Sequence, residues 1–246
     1  MTLIFAHRGS AGTHPENTML AFKEAARIGA DGIEMDVQLS KDGEVVIIHD
    51  EKLERTTGAF GFVKDRTLKE LQTLNAAVFF KGKIAKERIP TLEELLIWLC
   101  NNYLFCNIEL KNTFFMYPGL EEKVIRLIRA YGLEERIVIS SFNHYSLVHC
   151  HQLAPEIETA PLYRDGLFMP WVYAKAIGAS AIHPSIRSAP DPIIQSSLKA
   201  GILVRPYTIN KEQDMKRLYN LGCSAIITDF PGKAKKVRAN FENKKQ

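Results

Sequence analysis

The segment "EMDVQLSKDGEVVIIHD", Glu34 to Asp50, has the pattern of two strands joined by a tight turn. The turn is predicted at Lys41 to Gly43, because aspartate and glycine tolerate the backbone conformations of short loops. Only Gln38 to Glu44 separates the strands. This is too short for a parallel crossover of about ten or more residues but suits an antiparallel hairpin. One strand of the pair is therefore expected to lie outside a parallel sheet.

The first of these strands carries carboxylates at positions where a core strand has aliphatic side chains. Glu34 and Asp36 share one face, and the alternate positions, such as Ile33 and Val37, are apolar, since successive side chains of a strand point to opposite faces. We expect the apolar face to pack on helices and the carboxylates to point into a barrel. Pairing across the hairpin would bring His49 near Glu34, with about 5 Å between their Cβ atoms.

Strand-like segments alternate with helix-length segments along the chain. The stripe of Met19, Phe22 and Ala26, for example, predicts a helix that ends at Gly29. Such alternation indicates a parallel sheet, and no GxGxxG follows any strand to favour an open dinucleotide fold. At this length the prediction is an α/β fold, a TIM (β/α)8 barrel with the hairpin supplying a ninth strand. The strand candidates are "LIFAH", "GIEMDV", "VVIIH", "CNIEL", "RIVISS", "TAPLY", "SAIHP", "ILVRPYT" and "SAIITD".

The length and composition suit one domain. A chain of 246 residues with 46% hydrophobic residues can form a sizeable core, so a single TIM-barrel domain over residues 1–246 is predicted. Residues 51–90 break the alternation with the loop-like "TTGAFGFVKD", one short helix and a basic loop. They are predicted to form a small insertion at the C-terminal mouth of the barrel, where barrel enzymes carry specificity elements.

The bulk features exclude several functional classes. The net charge is +4 without a basic groove, so no nucleic-acid partner is expected. No apolar run approaches the ~20 residues of a membrane span, and the N-terminus lacks a signal-peptide pattern. The four cysteines show no CxxC spacing, which favours buried thiols in the cytoplasm over disulfides or zinc. A monomer or homodimer without stable membrane association is expected.

A third carboxylate is predicted to join the first two. Glu109 and Lys111 share a face of the strand "NIELK", so Glu109 is expected beside Glu34 and Asp36. A bound cation would keep such closely packed carboxylates ionised, and oxygen ligands favour Mg²⁺ or Ca²⁺ over zinc. The alternative is a salt-bridge layer with Arg8 and Lys111, and composition alone does not separate the two.

Two histidines follow strands near these carboxylates. His7 ends the first strand and His49 ends the hairpin. Two imidazoles beside a metal, Arg8 and Lys111 form the set expected for a phosphodiester, where one histidine deprotonates the nucleophile and the other protonates the leaving oxygen. Among the other histidines, surface or packing positions are expected for His144, His149 and His151, and a position reaching the mouth is conceivable for His183.

The ordered motifs of the chain resemble those of the glycerophosphodiester phosphodiesterases, in their bacterial cytoplasmic type. The motifs are "AHRG" with "PENT", "GIEMDV", "VIIHD", "IELK", "SSF", "PYTIN" and "IITDFP". Each is weak alone, but the series is specific and extends from Leu3 to Gly232. The resemblance implies a TIM barrel that uses one divalent cation, Mg²⁺ or Ca²⁺ with Mn²⁺ as a further candidate. The implied reaction is hydrolysis of a small-molecule glycerophosphodiester to glycerol 3-phosphate and an alcohol.

The resemblance also implies a role for each residue that matches a motif. The implied roles are metal ligand for Glu34, Asp36 and Glu109, general acid or base for His7 and His49, phosphate contact for Arg8 and Lys111, and support of the first loop for Glu16 and Asn17.

One position departs from the family pattern. Tyr207 in "RPYTIN" stands where the family usually has tryptophan, which would make the apolar wall of a pocket smaller and add a hydroxyl. Phe142 is the other residue expected to form a wall of the substrate pocket. Both could equally be core aromatics, and the preference for the alcohol group stays open.

Two other functions fit parts of the pattern. A phospholipase-type barrel acting at a membrane would need an exposed apolar rim, for which "AAVFF" before "KGKIAK" is the candidate. That segment is predicted instead to form the small core of the insertion. A metal-stabilised protein that binds phosphodiesters without turnover is the second alternative, although binding alone needs no pair of histidines.

Overall fold

The computed structural model describes residues 1–82 and 86–243. Residues 83–85, which belong to the predicted insertion, and residues 244–246 lie outside the described part. The strands are β1 (Leu3–Ala6), β2 (Gly32–Leu39), β3 (Val45–Ile47), β4 (Phe105–Leu110), β5 (Ile137–Ser141), β6 (Glu158–Tyr163), β7 (Ala181–Pro184), β8 (Leu203–Val204) and β9 (Ala225–Thr228). The helices are α1 (Met19–Arg27), α2 (Glu54–Thr57), α3 (Leu68–Thr73), α4 (Leu92–Leu99), α5 (Leu120–Ala130), α6 (His144–Leu153), α7 (Pro170–Ala176), α8 (Asp191–Lys199), α9 (Glu212–Leu221) and α10 (Pro231–Asn243).

All strands except β3 form one parallel sheet that closes on itself. The order of neighbours is β8, β7, β6, β5, β4, β2, β1 and β9. The two ends of this sheet meet through backbone hydrogen bonds from Ser224 N to Val204 O and from Ile227 N to Pro206 O, each 3.0 Å long. The predicted TIM barrel is confirmed. Within the described residues, no helix combines the length and apolar character needed to span a bilayer.

β3 is the ninth strand, and it pairs antiparallel with β2 outside the barrel, as the short connection predicts. The register places Val37 opposite Ile47, and Gly43 in the turn has φ +82°, a conformation that glycine adopts without strain. The next backbone hydrogen bond runs from Ile48 N to Asp36 O, at 3.0 Å. His49 therefore lies one position beyond the partner of Asp36, and the expected pairing of His49 with Glu34 is wrong.

The two faces of β2 bury opposite kinds of side chain. Ile33, Met35 and Val37 are fully buried in the large cluster between the sheet and helices α1, α4 and α5. Glu34 and Asp36 are also buried, with exposed fractions of 3% and 1%, but on the interior side of the barrel. Burying carboxylates this deeply is costly unless other groups compensate the charge. The interior of the barrel therefore has to supply cations.

The segment between β3 and α4 has a small core of its own. Leu53, Val63 and Leu71 are fully buried there against Ile48 and Ile89, so α2 and α3 are held against the hairpin. The expectation for "AAVFF" is wrong. The side chains of Val78 and Phe79 in that segment are 46% and 62% exposed, because α3 ends at Thr73 and Leu71 is the residue that the helix turns inward.

Gly9 lies where the loop after β1 crosses α1, and it gives a test of this packing. Its φ is +79°, and a Cβ at this position would lie 2.6 Å from the backbone carbonyl carbon of Ala21. We expect Gly9→Ala to lower the free energy of unfolding in urea by more than Gly201→Ala does. Gly201 has φ +81°, and a Cβ there would meet no atom within 4 Å, so its variant meets only the cost of the left-handed conformation, about 1 kcal/mol. Equal losses in the two variants would contradict the close approach.

Candidate active site

Most of the predicted site residues meet at one mouth of the barrel because parallel strands present their C-terminal ends to the same side. Glu34 and Asp36 lie within β2, and His49 reaches the site from the antiparallel β3. By strand, the site residues are His7 and Arg8 after β1, Glu34 and Asp36 in β2, His49 after β3, Glu109 and Lys111 at the end of β4, Phe142 after β5 and Tyr207 after β8.

Glu34, Asp36 and Glu109 form a buried cluster in which one carboxylate oxygen from each lies within 4.8 Å of the other two. Asp36 faces Glu109 directly in the pairing of β2 with β4. Among the described residues, Asp36 Oδ1 is buried and has no hydrogen-bond partner. Burial, together with the charge of Asp36, raises the pKa of Glu34 to about 8. Three converging carboxylates, one of which has an oxygen without a hydrogen-bond partner among the described residues, fit the ligand set of a hard divalent cation.

The alternative of a salt-bridge layer is also partly correct. Lys111 Nζ lies 2.8 Å from Glu109 Oε1 and 3.8 Å from Asp36 Oδ1, and Arg8 Nε lies 3.4 Å from Asp36 Oδ2. Burial opposes the charge of Lys111, but Glu109 and Asp36 raise the pKa of its amine. Arg8 and Lys111 thus compensate Asp36 and Glu109, while Glu34 keeps its proton to about pH 8 without a metal. A bound cation would favour the ionised form of Glu34 and so complete the ligand set.

His7 is held between two carboxylates. Its Nδ1 lies 2.6 Å from Asp229 Oδ1, and its Nε2 lies 3.9 Å from Glu34 Oε2. Burial lowers the pKa of His7, but Glu34 and the hydrogen bond with Asp229 outweigh burial and raise the pKa above its ordinary value. Asp229 fixes the ring so that Nε2 is the nitrogen that faces the cluster.

His49 also pairs with an aspartate through its Nδ1, as His7 does. Its Nδ1 lies 2.5 Å from Asp50 Oδ1, and its Nε2 lies 3.2 Å from Lys111 Nζ. Burial would raise the pKa of Asp50, but hydrogen bonds with His49 and Arg55 lower it instead. The imidazole that lies 3.9 Å from Glu34 is thus that of His7, and His49 approaches the cluster from the side of Lys111.

Glu16 and Asn17, which lie in the loop after β1, bind the residues around the acidic cluster. Asn17 Nδ2 donates to Asp36 Oδ2 at 2.8 Å, and Arg8 Nη1 donates to Glu16 Oε1 at 2.9 Å. The backbone N of Arg8 donates to Glu34 Oε2 at 2.8 Å. Arg8 and Asn17 have φ of +53° and +56°, uncommon for residues other than glycine. These hydrogen bonds to the buried carboxylates hold both residues in that conformation.

A cleft of about 540 Å³ opens beside His49 and Lys111. Phe142 lines this cleft, and Tyr207 packs edge-to-face against Phe142 with ring centroids 6.2 Å apart. The Tyr207 hydroxyl donates to Tyr163 O at 3.2 Å, and burial raises its pKa to about 12. The other residues that line the cleft are Glu51, Thr113, Phe114, Arg164 and Asp165.

Sequence reasoning missed the partners of the two histidines. Asp229 follows β9 in "IITDFP" and Asp50 is adjacent to His49 in "IIHD", so a search for carboxylates at strand ends would have found both. Arg55 lies on a short helix and Arg164 in a loop, and neither carries such a signal. The remaining histidines behave as structural residues. His144 contacts the Tyr173 hydroxyl at 2.7 Å, His149 pairs with Glu122 at 2.9 Å, and His183 is fully buried beside Arg205.

The fold and this site define a class, a TIM-barrel enzyme with an acidic cluster and two histidine–aspartate pairs at its mouth. Residues 7–233 match the family model of the glycerophosphoryl diester phosphodiesterases. The chain belongs to this family, and the prediction of an enzyme of this kind is confirmed.

Relatives match the chain over nearly its full length. A protein from Caldanaerobacter subterraneus named glycerophosphodiester phosphodiesterase is 46% identical over 94% of this chain and 95% of its own. One from Bacillus altitudinis with the same name is 47% identical over 98% of this chain and 100% of its own. A solved phosphodiesterase from Oleispira antarctica, in complex with its product sn-glycerol 3-phosphate, has a TM-score of 0.87 and 31% identity, with 97% of each chain covered.

The raised pKa of Glu34 predicts how stability depends on pH in the metal-free protein. The unfolded chain releases this proton at about pH 4.3, whereas the folded chain holds it to about pH 8. Between these values the folded state binds more protons, so the free energy of unfolding falls as pH rises. We expect Glu34→Gln in EDTA to be more stable than wild type by about 1 kcal/mol or more at about pH 8, and by less at about pH 5.

Urea unfolding in EDTA at the two pH values measures this difference. Glu135→Gln, which changes an exposed glutamate, serves as the control and should keep the wild-type dependence. A Glu34→Gln protein that loses stability equally at both pH values would contradict the prediction.

Proposed function

We propose that the chain hydrolyses glycerophosphodiesters to sn-glycerol 3-phosphate and an alcohol. The observation that carries the proposal is the placement of two histidine–aspartate pairs beside a buried three-carboxylate cluster, one next to Glu34 and one next to Lys111. Arg8, Lys111 and a bound metal ion would be sufficient to bind a phosphodiester. An oriented general acid and general base are needed only for turnover. The relative from Oleispira antarctica with its bound product supports the same substrate class.

Glu34, Asp36 and Glu109 are the proposed ligands of one divalent cation. Their oxygen-only set suits Mg²⁺ or Ca²⁺, with Mn²⁺ as a third candidate. When bound, the cation would stabilise negative charge on the phosphate and lower the pKa of a coordinated hydroxyl.

Arg8 and Lys111 are the proposed phosphate contacts. Both side chains are mostly buried, at 17% and 12% exposed, and both lie against the acidic cluster. Burial opposes the charge of Arg8, but Asp36 and Glu16 keep the pKa of its guanidinium raised, so it stays charged. A fixed cation in a partly desolvated site stabilises the charge that develops on non-bridging oxygens.

His7 and His49 are the proposed acid and base. Asp229 and Asp50 each bind Nδ1, which directs Nε2 of both rings into the site as the nitrogen proposed to accept or donate a proton. In His49 this nitrogen also contacts Lys111 Nζ, which the substrate would have to displace. One Nε2 takes the proton of the nucleophile, either water or the neighbouring 2-hydroxyl of glycerol, and the other protonates the leaving oxygen. The two rings approach the cluster next to different residues, Glu34 and Lys111, which suits these separate roles.

The alcohol group is proposed to occupy the cleft beside Phe142. Its wall combines this ring with Arg164, whose guanidinium carbon lies 5.0 Å from the ring centroid, and Tyr207 packs behind the same ring.

We also propose that residues 51–90 are an insertion within one barrel domain. The cysteines, including the buried Cys106, Cys150 and Cys223, are free thiols, which fits a cytoplasmic enzyme.

Enzyme-coupled release of glycerol 3-phosphate from glycerophosphocholine tests the proposal. We expect wild type to turn over, and EDTA, His7→Ala and His49→Ala each to reduce the rate by about 100-fold or more. Re-addition of Mg²⁺, Ca²⁺ or Mn²⁺ after EDTA should restore the rate and identify the preferred cation.

His149→Ala is the matched control, since His149 lies on α6 and pairs only with Glu122 on the surface among the described residues. It should retain wild-type turnover. Unchanged rates in either active-site variant would refute the acid–base assignment, and tight substrate binding without turnover in wild type would instead favour a binding protein.

A lipid-surface substrate is the second candidate. Four phenylalanines on loops near the mouth are more than half exposed, namely Phe60, Phe79, Phe114 and Phe168. Exposed aromatic side chains are common where proteins contact lipid.

Sedimentation with vesicles of phosphatidylcholine and phosphatidylglycerol separates the two candidates. We expect the chain to stay in the supernatant, because Glu51 and Asp165 balance Lys111 and Arg164 in the cleft that Phe114 lines, so the cleft offers little attraction for anionic headgroups. Sedimentation that is lost in Phe114→Ser or Phe168→Ser would favour the lipid surface.

A further inference from the structure

The side chain of Arg55 links the loop after β1, which contains Glu16, to the segment after β3, which contains Asp50. Arg55 lies on α2 in the segment between β3 and α4. Its Nη1 and Nη2 each donate to one oxygen of Glu16 at 2.7 Å, and its Nε donates to Asp50 Oδ2 at 2.5 Å. Nη2 also lies 3.1 Å from Asp50 Oδ1. One guanidinium therefore holds two carboxylates, with all three of its nitrogens in use.

Each of these carboxylates holds a different functional group. Asp50 binds Nδ1 of His49 at 2.5 Å, and Glu16 accepts from Nη1 of Arg8 at 2.9 Å. The chain of contacts thus runs from the proposed acid–base histidine, through Arg55, to the proposed phosphate contact.

We propose that Arg55 is a positioning residue that sets His49 and Arg8 at their working separation. The inference rests on the proposed function, since His49 and Arg8 have these roles only in that reaction. Arg55 itself is placed outside the reacting atoms and acts through Asp50 and Glu16.

The geometry requires arginine at this position. A guanidinium presents planar, forked donors that match two carboxylates at once, whereas a lysine amine is a single point charge. Burial would raise the pKa of Glu16, but hydrogen bonds from Arg55 and the charge of Arg8 lower it. Without Arg55, Glu16 would still pair with Arg8 and Asp50 with His49, but nothing would hold the two carboxylates at a fixed separation, so each could move together with the group that it binds.

The contacts of Arg55 do more than add single surface ion pairs. Its side chain is 46% exposed, so water screens each pair, and any stabilisation comes from the forked network with two carboxylates. Because these carboxylates bind His49 and Arg8, the same network also orients both groups, as outer residues orient the ligands of a metal.

Steady-state kinetics with glycerophosphocholine tests the proposal through a split between kcat and KM. Asp50→Asn should lower kcat by about 10- to 100-fold with KM near wild type, and Glu16→Gln should raise KM by about 10-fold with a smaller change in kcat. Arg55→Lys and Arg55→Ala should both lower kcat and raise KM. The Arg55→Ala, Asp50→Asn double variant should have nearly the kcat of the worse single variant, because the two residues act in one chain of contacts.

Two further measurements separate positioning from folding. Guanidinium chloride, far below its denaturing range, should restore part of the activity of Arg55→Ala, and NaCl at equal ionic strength should not. The thermal midpoint should change little in Arg55→Lys. Arg66→Lys is the matched control, because Arg66 is similarly exposed on the same segment and pairs with Glu70; its kinetic constants should stay at wild-type values.

The outcomes are distinguishable from those of the proposed function. Wild-type turnover with unchanged kcat and KM in Arg55→Lys and Arg55→Ala would overturn this inference alone. Loss of activity that tracks a lowered thermal midpoint, without rescue by guanidinium, would also overturn it. A wild-type chain that releases no glycerol 3-phosphate would overturn both.

Discussion

The burial of three carboxylates inside one barrel is the constraint on which the rest of the structure depends. Glu34, Asp36 and Glu109 point into the interior from adjacent strands, and an uncompensated charge in such a place would be severely destabilising. Arg8 and Lys111 compensate part of this charge, and a backbone N–H and a side-chain amide of the loop after β1 donate hydrogen bonds to the carboxylates. The remaining carboxylate oxygens are placed so that a divalent cation could bind them. The cationic groups that compensate the buried carboxylates are also the groups proposed to bind a phosphodiester.

Much of this arrangement could be predicted because it depends on periodicity. A strand that alternates carboxylates with Ile33, Met35 and Val37 can bury both faces only if one is an apolar core and the other a polar interior. The short connection from Gln38 to Glu44 likewise favours a hairpin, so one strand of the pair is predicted to lie outside the barrel, and the structure shows that it is β3. These conclusions need no knowledge of distant contacts.

The errors occurred where register and long-range contacts decide. The predicted pairing of His49 with Glu34 assumes a register that differs by one residue from the one observed, in which Asp36 O accepts from Ile48 N. His49 still reaches the cluster, but from the side of Lys111. The exposure of Phe79 could not be read from an apolar run, because which residues α3 turns inward depends on the hairpin beneath it. The partnership of Arg55 with Glu16 joins positions 39 residues apart, and no local pattern encodes it.

The pairing of His7 with Asp229 joins two parts of the chain that are synthesised at different times. His7 comes from the first strand and its partner from the end of the last, 222 positions away, while the three carboxylates and His49 all lie within the first half of the chain. A growing polypeptide would contain the whole acidic cluster long before it contained the group that orients His7. Competence for proton transfer would then arrive only with the final strand, when the two ends of the sheet meet, so an incomplete barrel would not be an active one.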